Sequence, residues 1–366
     1  MTEPLELSVV VPTLNESENV PVLVGKLEQT LNGVEWEVIF VDDDSDDGSA
    51  DQARRIGRTN RRVRCLQRIG RRGLSGACIE GMLASSAPYL AVMDADLQHD
   101  ETLLPRMLEI LKADGTDLVI GSRYMEGGGV GEWAESRRMI SRFTTGLGRL
   151  VMKNDVSDPM SGFFMLRREA FHRSVRRLSG IGFKILLDIL ASSPRSLSIK
   201  ELPFEFRARH AGESKLDTMV AWEYVMMLLD KLIGHLVPIR FVLFSVVGLF
   251  GLGVHLVLLA IVHKGLGGDF AVSQAIATIG AMTNNFLLNN VFTYRDKRLR
   301  GWSLLLGLIS FYAVCGIGAI ANIGIASYVY GADESWWVAG VTGALVGAVW
   351  NYAVSSVYTW RKPKKA

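Results

Sequence analysis

The sequence predicts an α/β domain followed by an all-α membrane domain, and two patterns carry this prediction. Before Arg240, short apolar runs rich in β-branched residues alternate with helical segments. That alternation is typical of a mostly parallel sheet covered by helices on both faces. From Phe241 onward the apolar stretches are long enough to cross a bilayer. We expect residues 1–216 to form the α/β domain, 217–240 an amphipathic interfacial helix or linker, and 241–366 the membrane domain.

Five apolar runs are the predicted strands. They are Leu7–Val11, Val38–Val41, Val63–Leu66, Tyr89–Met93 and Leu118–Ile120. Strands that are apolar throughout are buried on both faces of a sheet. Ligands of such sheets bind beyond the carboxyl ends of the strands. The polar segments that follow these five runs are therefore the candidate site.

The fourth predicted strand leads directly into Asp94-Ala95-Asp96-Leu97-Gln98-His99. Two carboxylates and one amide oxygen alternate in this segment, and these are the hard oxygen ligands that Mg²⁺ and Mn²⁺ prefer. An isolated Asp-x-Asp is more often a solvated turn, so the position at the sheet edge carries the argument. We expect Asp94, Asp96 and Gln98 to bind a divalent cation beside a phosphate-bearing ligand.

The overall composition excludes some classes of partner and site. The net charge is +2 over 366 residues, so no bulk attraction to nucleic acid is expected. Cys65, Cys78 and Cys315 lack the spacing of a metal site, and we expect them to be reduced thiols.

Four apolar stretches predict transmembrane helices. They run over residues 241–262, 270–292, 304–328 and 337–358, and none contains Lys, Arg, Asp or Glu. Each is long enough to cross a hydrocarbon core of about 30 Å. Four such stretches in succession argue against buried helices of a soluble protein.

The orientation of the predicted spans follows from their connections. Residues 295–300 and the tail 361–365 are rich in Lys and Arg, and both lie on the same side of a four-span domain. Basic connections favour the cytoplasmic side. The α/β domain and both termini are therefore expected in the cytoplasm, and the acidic start of the chain does not resemble a signal peptide.

The membrane half contains a repeat. Residues 285–295 match residues 351–361 in residue class at most positions. This match predicts two similar helical hairpins, each ending in an amide-bearing turn. The aromatic-basic pairs that follow, Tyr294-Arg295 and Trp360-Arg361, are expected to anchor the hairpins at the membrane interface.

Two segments have the composition of interfacial helices. Residues 138–153 and 217–237 mix apolar with charged side chains, as helices at a lipid surface do. In the second segment Met226 opposes Asp230 and Lys231. A helix that packs on the core of the α/β domain is an equal alternative for this segment.

Six segments resemble motifs of the GT-A, family 2 glycosyltransferases, in particular the dolichol-phosphate mannose synthases. They are Val10–Glu16, Val41–Ser49, Asp94–His99, Gly121–Tyr124, Asp158–Phe164 and Gly212–Leu216. The resemblance covers about residues 5–220 and implies a GT-A, Rossmann-like catalytic domain. The four spans resemble the GtrA-like membrane domain, mainly through residues 285–290.

The resemblance also implies roles for single residues on the donor side. Pro12, Thr13, Glu16 and Asp43 are similar to residues that hold the nucleotide base and ribose. Asp94, Asp96 and Gln98 are similar to residues that hold Mg²⁺ or Mn²⁺ against the diphosphate.

On the acceptor side, Arg123, Arg137 and Ser141 fall where the family binds the phosphate of the acceptor lipid. Arg209 and Lys215 fall where it closes a loop over the donor phosphates. With Asp96, these five residues are the expected catalytic set.

The expected activity is metal-dependent, inverting transfer of mannose from GDP-mannose to a polyprenyl phosphate at the lipid bilayer. A polyprenyl-phosphate glucosyltransferase that uses UDP-glucose stays open, because no residue reads out guanine unambiguously. A translocator of lipid-linked sugars with a nucleotide-sugar-binding domain also stays open. A processive polysaccharide synthase is disfavoured, because the chain has no Gln-x-x-Arg-Trp motif.

Overall fold

The chain consists of two compact units, Met1–Leu232 and Ile233–Ala366. The computed structural model describes residues 4–113, 115–129, 152, 154–180, 182–207, 226–232, 234, 237–331 and 336–360. The division between the units falls inside the predicted 217–240 linker, while the predicted boundaries at 216 and 240 stay predictions.

A seven-stranded sheet forms the centre of the first unit. Its strands are β1 (Leu7–Thr13), β2 (Trp36–Asp42), β3 (Val63–Gln67), β4 (Tyr89–Val92), β5 (Leu118–Ser122), β6 (Phe164–Arg167) and β7 (Ile199–Pro203). Their spatial order is β3-β2-β1-β4-β6-β5-β7. All neighbours pair in parallel except at β6, which runs antiparallel to β4 and β5. The predicted mostly parallel sheet is confirmed, and two strands add to the five predicted ones: β6 lies between β4 and β5, and β7 lies at the edge beside β5.

Helices cover both faces of this sheet. They are α1 (Asn19–Thr30), α2 (Ser49–Gly57), α3 (Leu74–Ala84), α4 (Leu104–Ala113), α5 (Arg168–Ser174) and α6 (Ile185–Ser192), with short 3₁₀ turns at Glu101–Leu103 and Val175–Arg177. Side chains alternate along each strand, so Val9 and Val11 pack in the core on one face and Val10 in the core on the other. Complete burial of such a side chain contributes about 1.5–3 kcal/mol. The two-sided core explains why the strands are apolar throughout.

Residues 226–232 are helical and pack on the first unit. Met227 is buried in one cluster with Met160 and Leu187. The Lys231 ammonium lies 2.6 Å from the carboxylate of Asp188, which is fully buried. Of the two readings of this segment, the described residues therefore support the core-facing helix, and Lys231 does not face a lipid surface.

The described part of the second unit is helical. Its long helices are α7 (Ile239–Leu259), α8 (Phe270–Leu288), α9 (Trp302–Gly331) and α10 (Trp336–Val354), with π-helical turns at Ala260–Gly265, Asn289–Thr293 and Ser355–Thr359 and a 3₁₀ turn at Arg295–Lys297. Among the described residues, two helical stretches are long and apolar enough to cross a membrane, Ile239–Gly265 and Trp302–Ala321. The count of four spans stays a prediction.

The predicted repeat is confirmed in the helices of the second unit. Helix α7 packs with α8, and α9 packs with α10. In the first hairpin a Cβ added to Gly251 would lie 2.1 Å from Asn285 Oδ1, and in the second a Cβ added to Gly318 would lie 2.1 Å from Asn351 Oδ1. In both hairpins a carboxamide therefore lies directly on a glycine of the partner helix. These contacts explain why the two asparagines recur in the sequence.

The two hairpins meet through the aromatic residues that end their repeats. The rings of Tyr294 and Trp360 are stacked with centroids 4.1 Å apart and planes inclined by 9°. Both side chains have no solvent-exposed surface. The expectation that they anchor the membrane interface is therefore wrong. Each ring covers the apolar face of the other, which removes both from the surface.

Candidate active site

Three loops at the carboxyl edge of the sheet contain residues in the left-handed backbone region. Asn15 follows β1 with φ 54°, Asp44 follows β2 with φ 62°, and Leu97 follows β4 with φ 64°. Asn and Asp tolerate this conformation, whereas a leucine in it costs about 1–2 kcal/mol. Leu97 is buried in the same core as β1 and β2, which offsets that cost. Such strain is concentrated at functional sites.

Hydrogen bonds join the loops after β1 and β2. The backbone N–H of Asn15 donates to Ser45 Oγ at 2.9 Å, and that of Glu16 donates to Ser49 Oγ at 2.8 Å. The N–H of Ser17 donates to the Asp47 carboxylate at 2.9 Å. The predicted donor-binding residues of the first loop are therefore held in a fixed position beside the second loop.

Asp43, a predicted ligand of the nucleotide, lies buried at the end of β2. Its two carboxylate oxygens accept from Arg68 Nη1 at 2.5 Å and from the Gly73 N–H at 2.6 Å. Burial raises the pKa of this carboxyl, and the Gly73 and Arg68 hydrogen bonds oppose that rise. A carboxylate oxygen has two acceptor sites, so these bonds leave capacity for a further donor.

Pro12, Thr13 and Glu16, the other predicted nucleotide ligands, lie at the adjoining end of β1. The Thr13 hydroxyl donates to the Val11 carbonyl at 3.0 Å. The Glu16 carboxylate accepts from the Asn19 amide at 2.7 Å. The structure thus brings all four predicted nucleotide ligands to two adjacent strand ends.

The segment Asp94–His99 forms a turn whose shape is fixed from within. The Gln98 N–H donates to Asp96 Oδ1 at 3.2 Å, and the Asp94 N–H donates to His99 Nδ1 at 3.0 Å. Asp96 is buried, whereas the Asp94 side chain is 34% exposed. The turn therefore holds one carboxylate that is open to a ligand and one that is enclosed.

His99 is a site residue to which the sequence reasoning gave no role. Its ring is buried and stacks on Phe163 with centroids 5.2 Å apart. Burial lowers its pKa to about 4. The ring is therefore neutral at pH 7, and because Nδ1 accepts from the Asp94 N–H, the proton resides on Nε2. Nε2 lies 3.7 Å from Asp94 Oδ2. His99 thus contacts Asp94 from two sides.

Arg207 connects the strand-end turn to the segment after β7. Its N–H donates to the Gln98 carbonyl, and its own carbonyl accepts from the Gln98 side-chain amide, both at 3.0 Å. Its guanidinium pairs with Asp100 at 2.6 Å and with Glu101 at 2.7 Å. The segment that leads toward Arg209 is therefore joined to the predicted metal ligands.

Arg123, a predicted acceptor-binding residue, pairs with Asp158 at the end of β5. Nε and Nη2 donate to the two carboxylate oxygens at 2.7 and 2.8 Å, in the two-pronged geometry that arginine prefers. Asp158 is fully buried, and the Arg123 side chain is 10% exposed. Burial lowers the pKa of Arg123, but the bonds to Asp158 outweigh it and leave that pKa raised.

The remaining predicted site residues, Arg137, Ser141, Arg209 and Lys215, lie outside the described residues. Of the predicted metal ligands, Asp94, Asp96 and Gln98 are brought together in one turn. Within the described residues, no preassembled cluster of three His, Cys, Asp or Glu side chains is present. This is consistent with a predicted ligand set that contains an amide and with donors that a diphosphate would supply.

Two family models match the chain. Glycosyl transferase family 2 matches residues 8–174, and the GtrA/DPMS transmembrane domain matches residues 243–360. The first match contains the strand-end loops described above up to Asp158. The second contains both helical hairpins, so the protein is a membrane protein.

The chain is also similar to whole proteins. It is 35% identical over 361 residues to the dolichol-phosphate mannosyltransferase of Pyrococcus furiosus, covering 97% of this chain and 99% of that protein. The Saccharomyces cerevisiae dolichol-phosphate mannosyltransferase is 36% identical over 233 residues, which are 61% of this chain and 86% of that protein. Among solved structures, a glucosyl-3-phosphoglycerate synthase from Mycobacterium tuberculosis has a TM-score of 0.45 and 19% identity, over 62% of this chain and 79% of that chain. By its sheet, its strand-end loops and its near-full-length match, the chain belongs to the dolichol-phosphate mannosyltransferases of glycosyltransferase family 2 that carry a GtrA/DPMS transmembrane domain.

Proposed function

We propose that the protein transfers mannose from GDP-mannose to a polyprenyl phosphate, with inversion at the anomeric carbon, at the cytoplasmic face of a membrane. The observation that carries the proposal is the similarity over 97% of this chain to a protein named dolichol-phosphate mannosyltransferase. The convergence of acidic and basic side chains at one sheet edge supports it, since ligands of α/β sheets bind there.

The acceptor phosphate is the nucleophile in this proposal. The second ionisation of a phosphate ester lies near pH 6, so a lipid monophosphate needs no side chain as general base. One phosphate oxygen forms a bond to the anomeric carbon while the bond from that carbon to the diphosphate breaks. The nucleoside diphosphate leaves with the electron pair. In-line displacement inverts the anomeric centre, so the site must hold two anions on opposite sides of one carbon.

Arginines suit the acceptor side, because a guanidinium grips a phosphate with two parallel hydrogen bonds. We assign Arg123, Arg137 and Ser141 to the acceptor phosphate. Arg123 stays cationic in its two-pronged pair with Asp158, which holds its guanidinium at the end of β5. Arg209 and Lys215 are assigned to the donor phosphates from the family resemblance of their segment.

Pro12, Thr13, Glu16 and Asp43 are assigned to the base and ribose of the donor. The support is their common position at the ends of β1 and β2. The Asp43 carboxylate is held in place by Arg68 and Gly73, which orients its remaining lone pairs before a ligand arrives.

The donor set of the Asp94–His99 turn fits Mg²⁺ or Mn²⁺. Asp94, Asp96 and Gln98 supply hard oxygens, and the Asp94 carboxylate is partly open to solvent. A divalent ion there would offset the charge that develops on the leaving diphosphate. The neutral His99 holds Asp94 through its backbone N–H and thereby orients this carboxylate.

The test is transfer by the purified full-length protein. It is incubated with polyprenyl phosphate and either GDP-mannose or UDP-glucose, with and without EDTA. We expect mannosyl transfer that EDTA abolishes. Asp96→Asn should lower the rate by about 10²–10³-fold, the size expected when one preorganised electrostatic contact to the transition state is lost. Asp51→Asn is the matched control, because the Asp51 side chain is 78% exposed and pairs with Arg54 at 3.1 Å.

Each outcome bears on one part of the proposal. Preference for UDP-glucose would mean that the transferred sugar is glucose and not mannose. Full activity in EDTA would show that transfer does not require a divalent cation. If the purified protein transferred no sugar from either donor but moved lipid-linked sugar across vesicle membranes, the protein would be a translocator and not a transferase.

The topology has its own test. We propose that both termini and the catalytic unit share the side of the soluble nucleotide sugar. Single cysteines are placed by Asp333→Cys or Lys364→Cys in a chain lacking Cys65, Cys78 and Cys315, and intact cells are treated with a membrane-impermeant thiol reagent. Labelling at position 333 alone is expected. Labelling at position 364 would contradict an even number of spans.

A further inference from the structure

A cavity of about 390 Å³ lies in the second unit where α8 gives way to the connection leading into α9. Leu287, Val291 and Leu304 supply apolar walls, and Arg298 and Arg300 supply two cationic side chains. Apolar walls beside guanidinium groups are the chemistry of a pocket for an amphipathic anion.

The base of this cavity is built by a buried asparagine. Asn290 is 3% exposed, and its carboxamide makes three hydrogen bonds. Oδ1 accepts from the Leu299 N–H at 2.8 Å and from Trp360 Nε1 at 3.1 Å, and Nδ2 donates to the Leu299 carbonyl at 3.1 Å. Both backbone polar groups of Leu299 are thus fixed, and this residue separates the two arginines.

The side chain of Leu299 holds the same connection from the other direction. A Cβ added to Gly307 of α9 would lie 2.3 Å from Leu299 Cδ1, so Leu299 packs directly on that glycine. The backbone on either side of Leu299 is therefore preorganised. Arg298 and Arg300 are exposed at fixed positions, rather than carried on a free loop.

Neither arginine is neutralised within the described residues, where no ion pair includes Arg298 or Arg300. Arg68, Arg123 and Arg207 of the first unit differ, since each of them pairs with a carboxylate. Two unneutralised guanidinium groups on a rigid connection favour an external anion.

The surroundings of the cavity indicate which class of anion binds there. The match to a transmembrane domain places these helices in a bilayer. Leu287, which lines the cavity, is 46% exposed, and Leu305 and Leu306, which follow the lining residue Leu304 in α9, are 47% and 66% exposed. An apolar surface therefore leads from the cavity into the hydrocarbon. Phospholipids surround such a surface on all sides, and basic pockets between transmembrane helices bind their anionic headgroups.

We propose that this cavity binds the phosphate of an anionic membrane phospholipid, with the arginines on the headgroup and the apolar walls on the first part of its chains. All the lining residues of this site belong to the second unit. It would hold a structural lipid at the junction of the two hairpins, where Trp360 of the second repeat bonds to Asn290 of the first.

The test is native mass spectrometry of the full-length protein in detergent after delipidation, titrated with phosphatidylglycerol or with phosphatidylcholine of the same chains. Detergent removes the surface potential of a leaflet, so the titration measures the site. We expect phosphatidylglycerol to bind about tenfold tighter or more. Arg298→Gln with Arg300→Gln should weaken it about a hundredfold, one factor of about ten for each charge-assisted contact.

Lys297→Gln is the matched control, because it removes one charge from the same connection but does not line the cavity. It should change the affinity by at most about twofold, since a charge outside the cavity acts on the bound phosphate only through screening solvent. Val291→Phe fills the cavity without a change of charge and should also abolish phosphatidylglycerol binding. Asp96→Asn, which should block transfer, should leave lipid binding intact, so the two proposals fail separately.

Three results would overturn the inference. Equal weakening by Lys297→Gln and by the arginine variant would mean diffuse attraction without a site. Equal affinities for phosphatidylcholine and phosphatidylglycerol would mean that the two arginines do not select an anionic headgroup. Tighter binding of polyprenyl phosphate than of phosphatidylglycerol, lost in the arginine variant, would make the cavity a docking site for the acceptor instead of a phospholipid site.

Discussion

The two units of this protein treat buried polar groups in opposite ways. In the first unit, three buried carboxylates have cationic partners: Asp43 pairs with Arg68, Asp158 with Arg123 and Asp188 with Lys231. In the described part of the second unit, the buried polar side chains are amides and hydroxyls, without a buried charge. Charge is expensive in a medium of low dielectric, and a partner recovers that cost only with good geometry. The difference shows that the first unit buries ion pairs, whereas the described interior of the second unit contains only neutral polar side chains.

The basic side chains of the second unit lie at the ends of its helices instead. Arg298 and Arg300 are exposed beside a cavity, and the neutral Asn290 fixes the connection that carries them. The first unit therefore pairs Arg68 and Arg123 with buried carboxylates, while the second presents Arg298 and Arg300 to its environment.

The largest effect should come from breaking a buried ion pair. Lys231→Ala leaves the Asp188 carboxylate, which has no exposed surface, without its cation. We expect a loss of about 3–5 kcal/mol in the free energy of unfolding of the first unit. That corresponds to a fall of about 6–20 °C in its unfolding temperature, which thermal denaturation measures.

Lys26→Ala is the control for that variant. Lys26 pairs with Glu101 at a similar distance, 2.7 Å, but its side chain is 37% exposed. Glu101 is buried but keeps a second cation, Arg207 at 2.7 Å, so removal of the partly exposed Lys26 should cost about 0–1 kcal/mol. Equal destabilisation by the two variants would contradict the contrast between buried and exposed ions. Stability restored by adding Asp188→Asn to Lys231→Ala would confirm that the unpaired charge is the cause.

An intermediate effect should follow from removing the guanidinium of Arg123. If it binds the acceptor phosphate, Arg123→Ala should lower the transfer rate at limiting acceptor by about ten- to a hundredfold, with little change in donor binding. The single variant also leaves Asp158 unpaired. Arg123→Ala with Asp158→Asn removes that second cause, because the residue left behind is neutral.

The double variant decides between the two roles of Arg123. A KM for polyprenyl phosphate that stays raised, in a protein whose stability has recovered, supports acceptor binding. Recovery of the wild-type KM would restrict Arg123 to holding Asp158 and the end of β5. Weaker binding of the nucleotide sugar would move the residue to the donor side.

The smallest effect should test the neutral packing of the membrane unit. Gly251→Ala and Gly318→Ala each place a Cβ 2.1 Å from an asparagine oxygen of the partner helix. We expect each to cost about 1–2 kcal/mol, in the lower part of the range for overpacking because the carboxamide can rotate. Thermal unfolding in detergent measures the change.

Gly248→Ala and Gly316→Ala are the matched controls, since a Cβ at either position meets no atom within 4 Å. Alanine has the higher helix propensity, so these two variants should be neutral or slightly stabilising. If the two hairpins are equivalent, Gly251→Ala and Gly318→Ala should cost similar amounts. A loss of stability in Gly251→Ala without one in Gly318→Ala would mean that the two repeats of the sequence do not contribute equally to stability.

Much of the catalytic unit was predictable from local patterns. The apolar β-branched runs predicted the five parallel strands. Strands that are buried on both faces are apolar at every position, so they stand out as continuous apolar runs. The polar residues after each strand gave the edge of the sheet and the turn at Asp94–His99. Strands β6 and β7 were missed, since Phe164–Arg167 and Ile199–Pro203 are short and the latter alternates in burial.

The contacts between residues that are distant in sequence were not predictable in this way. Lys231 belongs to an amphipathic segment whose pattern fits a membrane surface and a protein core equally well, and only the tertiary contact with Asp188 decides. Tyr294 and Trp360 have the composition of an interfacial belt, yet they bury each other. His99 lies beside the predicted metal ligands, but its neutral state depends on Phe163, Phe204 and Phe206 around it.

The sequence by itself determined the order of the elements, the candidate ligands on the strand ends, the apolar length of the membrane stretches and the repeat of its asparagines. These properties depend on neighbours along the chain, through the periods of strands and helices. The tertiary structure alone decided which ions pair, which aromatic rings are hidden and where two arginines remain unneutralised beside a cavity. Those outcomes depend on distances between residues far apart in sequence, and the energy of an ion or a ring is set by the burial that only the folded chain provides.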